Sequence, residues 1–517
     1  MIRADSSSFA ALRRRSSWCR GAAALGVAVL LSACSLGPRY KRPEIPPPAA
    51  WRTDITETPT EAAAEKTAAQ QPAGSSTGAS ASAKLGTTPA WPSADWWRGF
   101  GSTQLNDLIA QAQRANDDIA AAIARVRQAD AQAQIAGAPL FPTLDVSGDA
   151  SRQREKASGA LPGAPPITFS EFSALASASY ELDFWGKNRA TFNAAKFAAQ
   201  ASRYDRATIE LSVMTSVANT YFQAIELHDR LNVAQQDLSA AQTVLKDLQL
   251  EEQVGTAAAL DVAQQETTVA VLNAAIPPLR QQLRQTIDAL AVLVGRMPQE
   301  LDAPESTLTD LSEPVVGAGL PSELLARRPD VAEAEAQLMS ANANIAAARA
   351  AFFPSIDLTA DGGFVSTALS SLVTPLNRIF SLSAGVTQQI FAGGALVGNY
   401  RLNKGRYAEL LADYHKAVIS AFSNVEDALV AAQQTAEQYR RQQEAVAKAR
   451  RAYEITEIQL HAGTVNVLTV LNTQSALFTA EDELVQARFA HFQTLVQLFS
   501  ALGGGWQQGQ SPQTGHG

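Results

Sequence analysis

The chain has 517 residues, 46% hydrophobic and 18% charged, a make-up that excludes wholesale disorder and leaves room for roughly two to four domains. Its net charge of −8, with no basic stripe beyond the first residues, argues against a nucleic-acid surface. The apolar fraction leans on Ala, which favours helix and lets helices approach closely.

Arg13, Arg14, Arg15 and Arg20 precede an apolar run from Gly21 to Leu31, too short to span a bilayer as a helix. The run ends in Leu31-Ser32-Ala33-Cys34, the lipobox pattern of bacterial lipoproteins. Residues 1–33 are therefore expected to be a signal peptide and Cys34 the lipidated first residue of the mature chain. Ser35 rather than Asp follows, which fits sorting to an outer membrane. The other cysteine, Cys19, leaves with the signal, so no disulfide is expected. Beyond Leu31 no stretch of eighteen apolar residues occurs, so any membrane span must be a closed β-barrel.

Residues 34–95 read as a lipidated N-terminus and linker: prolines at 43 and 46–48, then low-complexity Ala, Thr, Ser and Gly over 56–90. Order is expected to begin near Trp96-Trp97. A duplication then sets in, with an offset of about 210 residues. Ala138-Pro139-Leu140-Phe141-Pro142 matches Ala351-Phe352-Phe353-Pro354, Phe184-Trp185-Gly186 matches Phe391-Ala392-Gly393, and Val254-Gly255-Thr256 matches Ala462-Gly463-Thr464. The expected units are a first repeat over 96–295, a connector over 296–329, a second repeat over 330–502 and a disordered tail over 503–517.

Each repeat reads as helix, two strands, long helix, turn, helix. Even positions in 172–184 are Phe172, Ala174, Ala176, Ala178, Tyr180, Leu182 and Phe184, against Ser173, Ser177, Ser179, Glu181 and Asp183. The same alternation runs through 380–390, and in shorter form through 144–150 and 356–364. A period of two with one apolar face predicts half-buried strands, about long enough to cross a bilayer tilted. From Lys187 to Gln253 no proline intervenes, which allows roughly 100 Å of helix. Leu227, Leu231, Ala234, Leu238, Ala241, Leu245 and Leu248 follow heptad spacing there, as do Val418, Phe422, Val425, Leu429, Ala432, Ala436 and Tyr439 in the second repeat.

Four strands cannot close a barrel, and lipid tolerates no open edge. Two copies would give a barrel filled by side chains, whereas three would leave a bore. The expected fold is therefore an α+β membrane protein: a homotrimer with a twelve-stranded outer-membrane barrel, four strands per chain, continued by a long antiparallel coiled-coil tunnel in the periplasm. A soluble sandwich is the competing account of the strands, and a soluble coiled-coil scaffold of the helices.

Further stretches make the reading specific: Trp97-Arg98-Gly99-Phe100 with Leu105, Asn116-Asp117-Asp118-Ile119, Tyr180-Glu181-Leu182-Asp183-Phe184-Trp185-Gly186-Lys187, and Leu320-Pro321-Ser322-Glu323-Leu324-Leu325-Ala326-Arg327-Arg328-Pro329-Asp330-Val331. On these, residues 90–502 resemble the TolC-type outer-membrane factors, and more closely their lipoprotein branch serving RND efflux pumps, the NodT-like family. The insertion at 56–90 carries none of it. The resemblance implies a passive duct, fed by an inner-membrane RND transporter through a periplasmic adaptor and embedded in outer-membrane lipid. It places the periplasmic tips at Gly255-Thr256 and Gly463-Thr464, where glycine also suits a helix end. It places the closed aperture at Leu468, Thr469 and Asn472, without the acidic ring usual there, and Asp261 occupies the duplicated position.

Little chemistry is expected beyond conduction. His228, His415, His461, His491 and His516 show no ligand spacing, and no metal, phosphate-binding or nucleophile motif occurs. No catalytic residue, cofactor or metal site is assigned. Arg327-Arg328 reads as an ion-pair partner at a helix start. A duct for a type I protein secretion system and a periplasmic scaffold lipoprotein remain as alternatives, and the exported substrate is not legible.

Overall fold

The computed structural model describes residues 40–48, 50–52, 91–155, 166–317, 319 and 321–508. The signal segment, Cys34, the low-complexity stretch at 56–90 and the last nine residues lie outside them. The chain divides into a sheet unit, built on 127–201 and 335–413, and a helical unit, built on 44–126, 202–334 and 414–517.

In chain order the main elements are α1 (Thr103–Ala115), α2 (Asp117–Gly137), β1 (Thr143–Glu155), β2 (Ile167–Glu181), α3 (Lys187–Gln253) and α4 (Ala259–Leu293). After the connector come α5 (Pro321–Leu324), α6 (Pro329–Ala350), β3 (Ser355–Ser366), β4 (Arg378–Thr387), α7 (Ala395–His461) and α8 (Val467–Ala501). The duplication is complete at this level: α3 and α7 each have 67 residues, α4 and α8 each have 35. Among the described residues no helix is long and apolar enough to cross a membrane.

The strands form one antiparallel sheet in the order β1-β2-β3-β4. Its register pairs Val146 with Ala176, Ala176 with Gly362 and Gly362 with Phe380, so even-numbered residues of all four strands share one face. Two strand limits differ from the alternation. β2 starts at Ile167 and stops at Glu181, because Leu182–Phe184 already turn towards α3; β4 runs 378–387, not to 390. The apolar positions switch face near the hairpin end, with Ile167, Phe169, Val365 and Ile379 on the odd face, which hid the start of β2 from a single-period reading.

The helical unit has an aromatic centre. Trp96 stacks on Phe499 at 5.1 Å, and Phe100 meets Phe222 at 4.9 Å and Phe492 at 5.9 Å. The Trp97-Arg98-Gly99-Phe100 motif is thus core packing at the entry to α1, whose first turn is capped by Ser102 accepting from the Leu105 N–H. The heptad positions face inwards: Leu227, Ala241, Leu248, Val418, Val425 and Leu429 are buried.

The structure corrects two expected boundaries. Order does not begin at Trp96. Arg42 pairs with Glu335 at 2.7 Å in the sheet unit, while in the helical unit Trp51 donates to the Gly319 carbonyl and packs against Phe422. A large apolar side chain in an otherwise Pro-rich stretch was the overlooked signal. Nor is the whole of 503–517 a disordered tail. Gly503 and Gly504 are buried, a Cβ on Gly503 would collide with the Arg327 carbonyl, and Trp506 packs edge-on against Tyr204.

Candidate functional site: two sheet faces and two helix tips

The sheet segregates charge completely. All its carboxylates, Asp145, Asp149, Glu155, Glu171, Glu181, Asp357 and Asp361, stand at odd positions. All its cations, Arg152, Arg154 and Arg378, stand at even ones. Hydroxyls bond the carboxylates of the odd face, Ser381 of β4 donating across strands to Asp361 of β3 at 2.8 Å and Ser355 donating within β3 to Asp357 at 3.1 Å. The even face is apolar and bare: Val146 is 81% exposed, Leu382 80% and Phe380 87%. Such a patch on a folded chain marks a surface meant for lipid or a partner. Among the described residues, β1 and β4 each leave one edge unpaired.

The most specific motif fixes the exit from this sheet. Asp183 accepts from the N–H groups of Asn188 and Arg189 at 2.9 and 2.8 Å, capping α3. Trp185 donates to the Pro354 carbonyl at 2.8 Å and stacks on Phe353, tying the two repeats together at the strand ends. Lys187 pairs with Glu181 at 2.6 Å.

The two tips share the same turn bonds. The N–H of Thr256 reaches the Glu251 carbonyl at 2.9 Å, and the Thr256 hydroxyl reaches it at 3.0 Å. Thr464 makes the same two bonds to Gln459, at 3.0 and 3.1 Å. Gly255 and Gly463 supply the left-handed residue of each turn, with φ of 82° and 69°. A Cβ at either would meet nothing, so backbone conformation rather than space demands glycine. Beneath the turns Leu248, Val262 and Val467 form a small buried cluster joined by Leu460 and Leu471.

The structure places the predicted aperture residues in the first turns of the returning helices. Leu468 and Asn472 are exposed and one turn apart. Thr469 gives both its N–H, at 3.1 Å, and its hydroxyl, at 2.8 Å, to the cap residue Asn466. Asp261 sits at the equivalent position of α4 and accepts from the Ala258 N–H at 3.3 Å. Thr469 and Asp261 are therefore helix-start residues as well as tip residues. Leu260, exposed like Leu468, is the tip residue that sequence reading passed over; its signal was the duplication itself.

Arg328 acts as the expected ion-pair partner. It grips Asp330 through Nε at 2.9 Å and a terminal nitrogen at 2.6 Å, and donates to the Ala501 carbonyl at 3.1 Å, closing the end of α8. Arg327 lies over the Trp91 ring.

A half-buried charge cluster also went unforeseen. Arg230 of α3 holds Asp482 of α8 at 2.6 Å and Glu226 at 3.2 Å. Asp237, two helical turns on and also buried, faces Glu481 and Asp482, and burial with those like charges pushes its carboxyl up to about 7. An acid one residue before Leu238 in a heptad stripe was the available signal.

The comparisons match both repeats. The model of the family described as outer membrane efflux protein covers residues 108–296 and 320–504. The pyoverdine export outer membrane protein OpmQ of Pseudomonas aeruginosa is 41% identical over 416 residues, 80% of this chain and 87% of its own. The toluene efflux pump outer membrane protein TtgC of Pseudomonas putida is 32% identical over 490 residues, 94% of this chain and 96% of its own. The CmeC outer membrane channel of Campylobacter jejuni shares the fold, with a TM-score of 0.81 over 92% of this chain and 96% of that one at 24% identity. With both halves of the duplication matched and the sheet and paired tips in place, the chain belongs to the outer membrane efflux protein family.

Proposed function

We propose that three copies of this chain form the outer-membrane duct of a tripartite RND-type efflux system, conducting passively what an inner-membrane transporter and a periplasmic adaptor deliver. The observation that carries the reading is a four-stranded sheet with an exposed apolar face and two open edges. Lipid accepts the face but not the edges, so β4 of one copy must pair with β1 of the next until the sheet closes. The acidic odd face then lines a wet bore. Cys34 adds acyl chains that hold the N-terminus at the same membrane. The tips at Gly255-Thr256 and Gly463-Thr464 meet the adaptor, Leu468 with Thr469 and Asn472 forms a constriction of apolar and neutral groups rather than a carboxylate ring, and Asp261 brings its one carboxylate to the duplicated position of the other tip. Relatives named for pyoverdine and for toluene fit a duct that leaves selection to its transporter.

Single-channel recording in planar bilayers, with native mass measured alongside, tests this. Trimers giving small, gated steps are expected. A monomer without conductance would overturn the duct in favour of a periplasmic scaffold. Loss of a secreted protein rather than of tolerance to small toxic compounds in a deletion strain would move it to protein secretion.

A further inference from the structure

The three arginines of the sheet lie on its even face, which is apolar along the middle of the strands, and the apolar run of each edge strand ends in them. In β1 the even positions read Leu144, Val146, Gly148, Ala150, then Arg152 and Arg154. In β4, read from the helix side, they are Val386, Ala384, Leu382, Phe380, then Arg378. In both strands the arginines lie at the end away from α2, α3, α6 and α7, where the hairpins turn. All three side chains are exposed, and among the described residues none is ion-paired. Aromatic side chains stand beside them on the same face: Phe364 in β3 pairs directly with Arg378, Phe380 lies one even position inside it on β4, and Phe172 in β2 lies one even position inside the level of Arg152. Aromatic side chains on a lipid-facing strand mark the level where hydrocarbon gives way to headgroups. Guanidinium groups at or just beyond such aromatics stand among headgroups, and their fork geometry matches phosphate.

We infer that Arg152, Arg154 and Arg378 bind the phosphate groups of the anionic glycolipid in the outer leaflet. The inference rests on the trimeric barrel proposed above. β1 and β4 are the two edges, so closing the barrel brings Arg378 of one copy towards Arg152 and Arg154 of the next, and each lipid site lies on a seam between copies. The occupant is a lipid rather than free phosphate because the arginines are continuous with the bare apolar face, which offers a place for acyl chains beside the charge. The lipid thereby bridges the strand pair that no single chain can complete.

The test uses the full-length protein purified in detergent, with diphosphoryl lipid A as the probe and native mass spectrometry as the readout. Wild-type trimers are expected to retain lipid A. The triple variant Arg152→Gln, Arg154→Gln, Arg378→Gln should retain it roughly a hundredfold less well, from a factor of about five per arginine near an anionic surface. Removing the lipid A phosphates should weaken retention by the wild type similarly, and millimolar inorganic phosphate should not displace it. Ser147→Gln on the odd face, which controls for folding, should leave trimer mass and lipid A retention unchanged. Trimers of the triple variant that conduct normally and hold lipid A as well as the wild type would overturn the site and leave the duct standing. A wild type that is monomeric and non-conducting would overturn both. Displacement of the lipid by inorganic phosphate would reassign the arginines to a free anion.

Discussion

At the scale of single residues, Asp237 has the most to say about solution conditions. Its carboxyl is held up to about 7 by burial and by Glu481 and Asp482, against an ordinary value near 4. Below about pH 4 the folded and unfolded chains both carry the proton, and the group does not distinguish them. Between about 4 and 7 the unfolded chain has released it while the folded chain keeps it, so stability falls as pH rises and stays lower above that window. Asp237→Asn removes the penalty. The thermal midpoint of trimer dissociation should rise in the variant at pH 8 and stay unchanged at pH 4; a fall at pH 8 would mean that Asp237 works as an ionised partner of Arg230. None of this was legible beforehand, because a heptad pattern shows which face an acid occupies but not which charges meet it across the bundle. The opposite holds at the tips. The duplicated Gly-Thr pairs, read together with the family resemblance, pointed to both turns, since glycine supplies the left-handed residue that a helix end uses.

At the scale of elements, the sheet puts two neighbouring positions to opposite uses. Leu382 and Ser383 share a strand, but Leu382 lies on the apolar face and Ser383 on the polar one, where its hydroxyl meets Thr359. An arginine facing hydrocarbon in a membrane strand costs about 2–4 kcal/mol near the midplane, and one facing water costs little. Leu382→Arg should therefore deplete assembled trimers from the outer-membrane fraction while Ser383→Arg leaves their amount unchanged, read by semi-native electrophoresis. Equal tolerance of both would mean that the even face meets neither lipid nor a core, and would overturn the barrel. Period-two alternation exposed these faces in the sequence because its middle stretches are regular. The reversal at Ile167, Phe169, Val365 and Ile379 did not show, for a strand that changes its apolar side looks in sequence like a strand that has stopped. The extent of α3 was legible to the residue, since 67 residues without proline or glycine punctuation leave the chain few alternatives, whereas α7 showed only through its heptad stripe.

At the scale of the whole molecule, the segregation of charge sets what the bore prefers. Every sheet carboxylate is on the polar face and no sheet cation is there, so in the proposed trimer the barrel wall would face the passage with acid alone. Such a passage concentrates cations and repels anions over about a Debye length. Reversal potentials across a potassium chloride gradient should therefore show cation preference, reduced by the double variant Asp145→Asn, Asp149→Asn. Anion preference would put the carboxylates outside the conducting path. The segment around Trp51 and the packed residues after Ala501 were missed for a related reason: each is irregular, and what holds it is a set of contacts with distant parts of the chain, which no local pattern announces.

The open sheet also has a history to survive. A lone subunit that has folded its strands carries a greasy surface and two adhesive rims through water before it finds lipid and two siblings. Every collision with another unfinished subunit can join the right rims or the wrong ones, and closure requires three correct meetings in succession. The abundance of the finished channel should then depend steeply on how fast subunits arrive, and on the holdases and proteases that reach an orphan first. Overproduction without matching chaperone capacity would yield tangled strands rather than more pores.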